Sequence, residues 1–124
     1  MAKGNRSGGT GSGLMTSKER EQQALYLQSQ SQTLAELFVS GELEQVEQRA
    51  LDLLAQFPVW GFGWKVLTGT YAMQSRNEEA LLASKKAAHY CAADPEVHNN
   101  QGNILKDLGR FTEAIACYEK AIKL

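Results

Sequence analysis

Apolar residues in this chain recur at helical spacing in paired stripes, and the pattern falls onto itself when the chain is shifted by 34 residues. In that register Leu67 and Tyr71 meet Gln101 and Leu105, Glu79 and Ala80 meet Glu113 and Ala114, and Ala87 and Ala88 meet Ala121 and Ile122. One step earlier, Leu37 stands above Tyr71, Gly41 above Ser75 and Gly109, Val46 above Ala80, and Leu53 and Leu54 above Ala87 and Ala88. Each copy holds two apolar stripes broken by a short turn, at Gly41, at Ser75-Arg76-Asn77 and at Gly109-Arg110, which predicts a helical hairpin. One hairpin cannot bury both its stripes. Ala80, Ala87, Ala114 and Ala121 are expected where helices approach closely, with Trp64, Tyr71, Leu105 and Tyr118 filling between them, so the hairpins must stack.

Trp64-x-x-Leu67 with Tyr71, Ala80 and Ala87, followed by Gly102, Leu105, Gly109, Phe111, Ala114, Tyr118 and Ala121, resembles the tetratricopeptide repeat. The resemblance covers about residues 27–124 as units 27–60, 61–94 and 95–124. The first unit is the most degenerate, with Gln30 where Trp64 stands and Leu34 where Gly102 stands. The resemblance implies an all-α fold of three stacked helix-turn-helix repeats in a short right-handed solenoid. In that family a further helix covers the last hairpin. Here the third copy stops at Leu124, so Tyr118, Ala121 and Ile122 are expected to form an uncapped face capable of weak self-association.

At 124 residues and 43% hydrophobic content there is room for one domain with a modest core. Residues 1–16 hold five glycines and no acidic group, and they read as a flexible tail or an expression remnant preceding a domain over 17–124. Thr16 and Glu19 predict a capping box that starts a helix at Ser17. With Ala24, Leu25 and Leu27 as its apolar side, that segment is expected to cover the open end of the first repeat. No apolar run approaches the roughly 20 residues of a membrane span, so no membrane partner is implied. Beyond the tail's Lys3 and Arg6, residues 17–124 carry a net charge of −3, which argues against a nucleic-acid surface.

Few residues invite a chemical reading. His89, Cys91, His98 and Cys117 are zinc-ligand types, but their spacing matches no compact zinc site, and two cysteines without a secretory signal suggest free thiols in a reducing cytoplasm. Gly61-Phe62-Gly63-Trp64 begins like a dinucleotide loop, yet Val66 occupies the third glycine's place and no strand precedes it, so it reads as a helix start. Glu42, Glu44 and Glu47 read as a solvated helix face, and no serine has a base and an orienting acid around it. The expectation is a protein without catalytic activity, metal or cofactor.

In the resembling family the first helix of each unit lines a concave groove. Its ridge here would hold Gln28, Ser31, Gln32, Ala35 and Phe38, then Phe62, Lys65, Val66, Gly69 and Met73, then Glu96, Asn99, Asn100, Asn103 and Lys106. Phe38, Phe62, Val66 and Met73 would supply apolar contacts, whereas Asn99, Asn100 and Asn103 would offer amides to a peptide backbone. The expected binding residues are therefore Phe62, Lys65, Val66, Met73, Asn99, Asn100, Asn103 and Lys106, and the expected ligand is a protein or peptide segment. A clamp for an acidic carboxy-terminal peptide would match Lys65 and Asn100, but Gly69 stands where an asparagine belongs.

His98-Asn99-Asn100-x-Gly102-Asn103 with Lys106-Asp107-Leu108-Gly109-Arg110, and Phe57-Pro58 before Gly61-Phe62-Gly63-Trp64-Lys65-Val66-Leu67, are similar to bacterial arrays that precede a sugar-transferring domain of the O-linked N-acetylglucosamine transferase type. The asparagine ladder of those arrays has one rung here, Asn100, since Gln32 and Val66 occupy the equivalent places. The reading is a peptide-binding interaction module. Its alternatives are the amino-terminal recognition piece of a larger glycosyltransferase-type enzyme and a self-assembly scaffold.

Overall fold

A computed structural model describes residues 14–124 of the chain; residues 1–13, most of the expected tail, lie outside the described residues. The chain forms α1 (Ser17–Val39), α2 (Leu43–Gln56), α3 (Gly61–Met73), α4 (Asn77–Tyr90), α5 (Pro95–Asp107) and α6 (Phe111–Lys123). Among the described residues all regular structure is helical, in keeping with stacked helical hairpins. The described residues divide into two compact units, one up to Gln32 and one spanning Thr33–Leu124.

In the first unit, the Thr16 N–H donates to Glu19 Oε1 at 2.8 Å and the Glu19 N–H donates to Thr16 Oγ1 at 3.0 Å. This is the predicted capping box, satisfying two of the free N–H groups at a helix start. Ala24 and Leu25 are exposed, Leu25 by 60%. Residues 17–39 make one continuous helix, because no glycine or proline interrupts them and nothing in that stretch can supply a turn.

In the second unit, three turns close the same way at intervals of 34 residues. The N–H of Glu42, Arg76 and Arg110 donates to the carbonyl of Leu37, Tyr71 and Leu105 at 2.9, 2.9 and 2.8 Å. The N–H of Gly41, Ser75 and Gly109 donates to Phe38, Ala72 and Lys106 at 3.0, 3.0 and 2.9 Å. These are Schellman closures, which need a left-handed residue just beyond the helix. Gly41 and Gly109 supply it at φ 81° and 79°, and Ser75 adopts it at φ 59° despite its Cβ.

Packing follows from the hairpins. Helix α3 lies against α2 and α4, α5 against α4 and α6, and α3 touches α5 directly. Leu34, Val46, Leu53, Leu54, Leu67, Tyr71, Leu81, Ile104 and Leu105 form the buried core, with Ala50, Ala80, Ala83 and Ala114 at the close approaches. Thr68, Thr70 and Ser84 are buried too, and each hydroxyl donates to a carbonyl of its own helix, Trp64, Val66 and Leu81, at 2.7 to 2.8 Å. That internal bonding removes the cost of burying them.

At the carboxy-terminal face, Tyr118 fills between α5 and α6. Its ring packs over Gly102, where a Cβ would stand 2.6 Å from the ring edge, and its hydroxyl donates to Asn103 Oδ1 at 2.6 Å. Tyr118 and Ala121 are half-buried, whereas Ile122 is 82% exposed. The large apolar residues of α6 that are exposed are Phe111, Ile115 and Ile122.

Candidate peptide groove

Because α3 and α5 are the first helices of consecutive hairpins and touch each other, residues spaced by three and four on each share one surface with the end of α1. Two open depressions lie along it. The first, of about 250 Å³, is bounded by Ala35, Phe38 and Val39 of α1, Phe62, Lys65, Val66 and Gly69 of α3, and Glu96 and Asn100 of α5, and its wall is almost wholly apolar. The second, of about 360 Å³, is bounded by Phe38, by Thr68, Gly69, Ala72 and Met73, and by Asn100, Asn103, Ile104 and Asp107. Phe38, Gly69 and Asn100 belong to both. Gly69 keeps them open, since a Cβ there would rest 3.5 Å from the Phe38 ring in ordinary contact while a longer side chain would occupy the space.

The polar groups differ sharply in how they are engaged. Lys65 Nζ donates to Asp94 Oδ2 at 2.9 Å and pairs with Glu96 Oε1 at 2.6 Å. Burial works against the Lys65 charge, but the bonds to Glu96 and Asp94 outweigh it and hold the ammonium above its ordinary pKa. The Lys65 hydrogen bond in turn holds the Asp94 carboxyl below the usual range, and Asp94 Oδ1 also caps α5 by accepting the Glu96 N–H at 3.0 Å. The ammonium expected to face a ligand is thus committed to two carboxylates of its own chain, and an acidic-peptide clamp loses its cation.

Asn100 is half-buried at the junction of the two depressions, and its side-chain amide makes no hydrogen bond among the described residues. Asn103 accepts from Tyr118, leaving its NH₂ group to face the second depression. Asp107 closes the far rim, again without a hydrogen bond or ion pair among the described residues.

Of the eight residues expected to bind, Phe62, Lys65, Val66, Met73, Asn100 and Asn103 border the depressions, and Phe62 and Val66 also pack against the core. Asn99 and Lys106 are exposed and border neither. At about 100° per residue both point well to one side of the strip formed by Glu96, Asn100, Asn103 and Asp107. Val39, Thr68, Ala72, Ile104 and Asp107 were not anticipated. Extending the i, i+4, i+7, i+11 series from Glu96 would have reached Asp107.

Elsewhere the polar clusters are structural. Arg76 donates to Glu47 Oε1 and Oε2 at 2.8 and 3.1 Å and to Glu79 Oε2 at 2.6 Å, with its guanidinium 4.5 Å from the Tyr71 ring centroid. His98 is buried and its Nε2 bonds the Ala92 carbonyl at 2.6 Å. Cys91 and Cys117 are free thiols whose pKa values burial pushes up. No group of three or more His, Cys, Asp or Glu side chains among the described residues could hold a metal ion. Gly61 and Gly63 serve packing, since a Cβ on Gly61 would collide with Cys91 Sγ and one on Gly63 with Leu54 and Trp60. None of the described helices is long and apolar enough to cross a membrane.

Residues 95–124, which hold α5 and α6, match the family model of the tetratricopeptide repeat. The match coincides with the third unit read from the 34-residue period. No curated protein matches the chain.

Proposed function

We propose that this chain is a protein-interaction module that takes a peptide segment of a partner into the groove formed by the end of α1, α3 and α5. Tetratricopeptide repeats generally mediate protein–protein interaction, and stacked hairpins create extended concave surfaces suited to it. The observation that carries the reading is the adjoining pair of depressions with the unpartnered amide of Asn100 at their junction. The first depression, of about 250 Å³, lies below the roughly 300–1,000 Å³ of drug-sized ligand sites and suits a single anchoring side chain, with the second adjoining it for the rest of a segment. An amide beside it suits the main chain that carries such an anchor.

A peptide-display selection against the wild-type chain, repeated with Asn100→Ala and Gly69→Leu, tests this. Both variants should lose the selected peptides by tenfold or more in affinity, on the order of 1.4 kcal/mol, while melting within a few degrees of the wild type. Gly69→Leu removes a helix-interior glycine, so folding is not expected to suffer. Peptides that bind both variants as tightly as the wild type would place recognition elsewhere.

A further inference from the structure

Resting on the groove reading above, we infer that the segment it accepts pairs an apolar anchor with a basic residue, the anchor seated in the first depression and the Lys or Arg directed to Asp107 at the far rim of the second. The argument begins with charge. The rim carries one cation, Lys65, against the carboxylates of Glu96 and Asp107, and Asp94 behind the rim also pairs with Lys65. Lys65 is shared between Asp94 and Glu96, so no cation on the rim is left for an acidic ligand. Asp107 has no counter-charge, and the adjacent Lys106 neither pairs with it nor borders the depression.

The position of Asp107 adds a second argument. It is the last residue of α5, where the partial negative charge of the helix C-terminus disfavours a carboxylate. It gains no bond that offsets this within the described residues. A side chain that costs its own helix and still borders the groove is explained by a ligand of opposite charge. Between the apolar cup and Asp107 lie the free amide of Asn100 and the NH₂ of Asn103, which can hold the main chain of the segment in between. Apolar anchor, backbone and cation then follow one another along α5.

Short peptides blocked at both ends, each with one Leu or Phe and with Lys, Gln or Glu at neighbouring positions, are titrated against the full chain by fluorescence polarisation. Lys-bearing peptides should bind roughly fivefold more tightly than Glu-bearing ones in low salt, and added salt should narrow the difference. Asp107→Asn should erase the preference while leaving the Gln-bearing peptides unchanged, and Asp107→Lys should reverse it. Equal or tighter binding of Glu-bearing peptides, or a preference that survives Asp107→Asn, overturns the inference. The groove reading survives that result if Gly69→Leu still abolishes binding. Binding that ignores Gly69→Leu, or a groove filled by a second copy of the chain in concentration-dependent dimers, overturns both.

Discussion

The α3–α4 and α5–α6 hairpins are nearly the same object locally and different objects once packed. Their turns share Schellman bonds within 0.1 Å, each opens its second helix with an Arg–Glu pair, Arg76–Glu79 or Arg110–Glu113, and Ala80 and Ala114 are equally buried. Yet Leu81 is 4% exposed whereas Ile115, its counterpart 34 residues on, is 57% exposed. Local geometry is thus written in local residues, while burial is conferred by the neighbour, here α5 lying against α4. A repeat's energy is divided between what it contains and what it leans on.

The sharpest test exchanges those counterparts. Leu81→Ala should cost about 2–5 kcal/mol in urea unfolding, because it leaves a cavity in the core, whereas Ile115→Ala should stay within about 0.5 kcal/mol. Similar costs would mean that α6 is covered in solution and would break the comparison. The turns offer a smaller contrast, since both require a left-handed residue and only one uses glycine. Ser75→Gly should stabilise by up to about 1 kcal/mol, and Gly109→Ser should destabilise by about 1 kcal/mol, as read from melting curves. If neither moves, the turn geometry differs from that described.

The smallest effect concerns pH at the junction of the two hairpins. Asp94 titrates below its ordinary value, so its contribution is present above the unfolded carboxylate range near pH 4 and is lost as pH falls through the lower folded value. Lys65 titrates above its ordinary value, so its contribution is present below about pH 10 and is lost as pH rises further. Asp94→Asn keeps a cap for the Glu96 N–H but loses the Lys65 pair, and both groups are partly exposed. It should cost about 0.2–1 kcal/mol at neutral pH and flatten the acid side of the stability profile. An unchanged acid limb would remove Asp94 from the account.

Much of the fold was legible because a repeat writes each instruction more than once. The period located the turns at Gly41, Ser75 and Gly109, and α3 and α5 begin where the second and third units were drawn. The start of α1 was legible through Thr16 and Glu19, but its length was not. Continuity has no punctuation of its own, and the 34-residue register put a unit boundary at residue 27, inside the single helix Ser17–Val39. On the groove, α3 was read well because its apolar residues mark their own face. On α5 the cluster of amides drew attention to Asn99, which lies beside that face, and away from Asp107, which lies on it. The engagement of Lys65 was hidden for another reason: Asp94 closes the same unit 29 residues on and Glu96 opens the next, and both meet Lys65 only through packing.

The solitary amide of Asn100 has a consequence for what this surface refuses. In the free chain solvent can satisfy a half-exposed amide, so a peptide group that replaces that water gains only the net of the exchange, about 0.5–1.5 kcal/mol. An occupant that covers Asn100 with hydrocarbon strips that hydration and returns nothing, at a cost of about 1–3 kcal/mol, roughly fivefold to a hundredfold in occupancy. The groove's polar spot therefore works as a filter on misfits, and discrimination would register in the rate at which wrong occupants leave more than in the strength with which right ones are held.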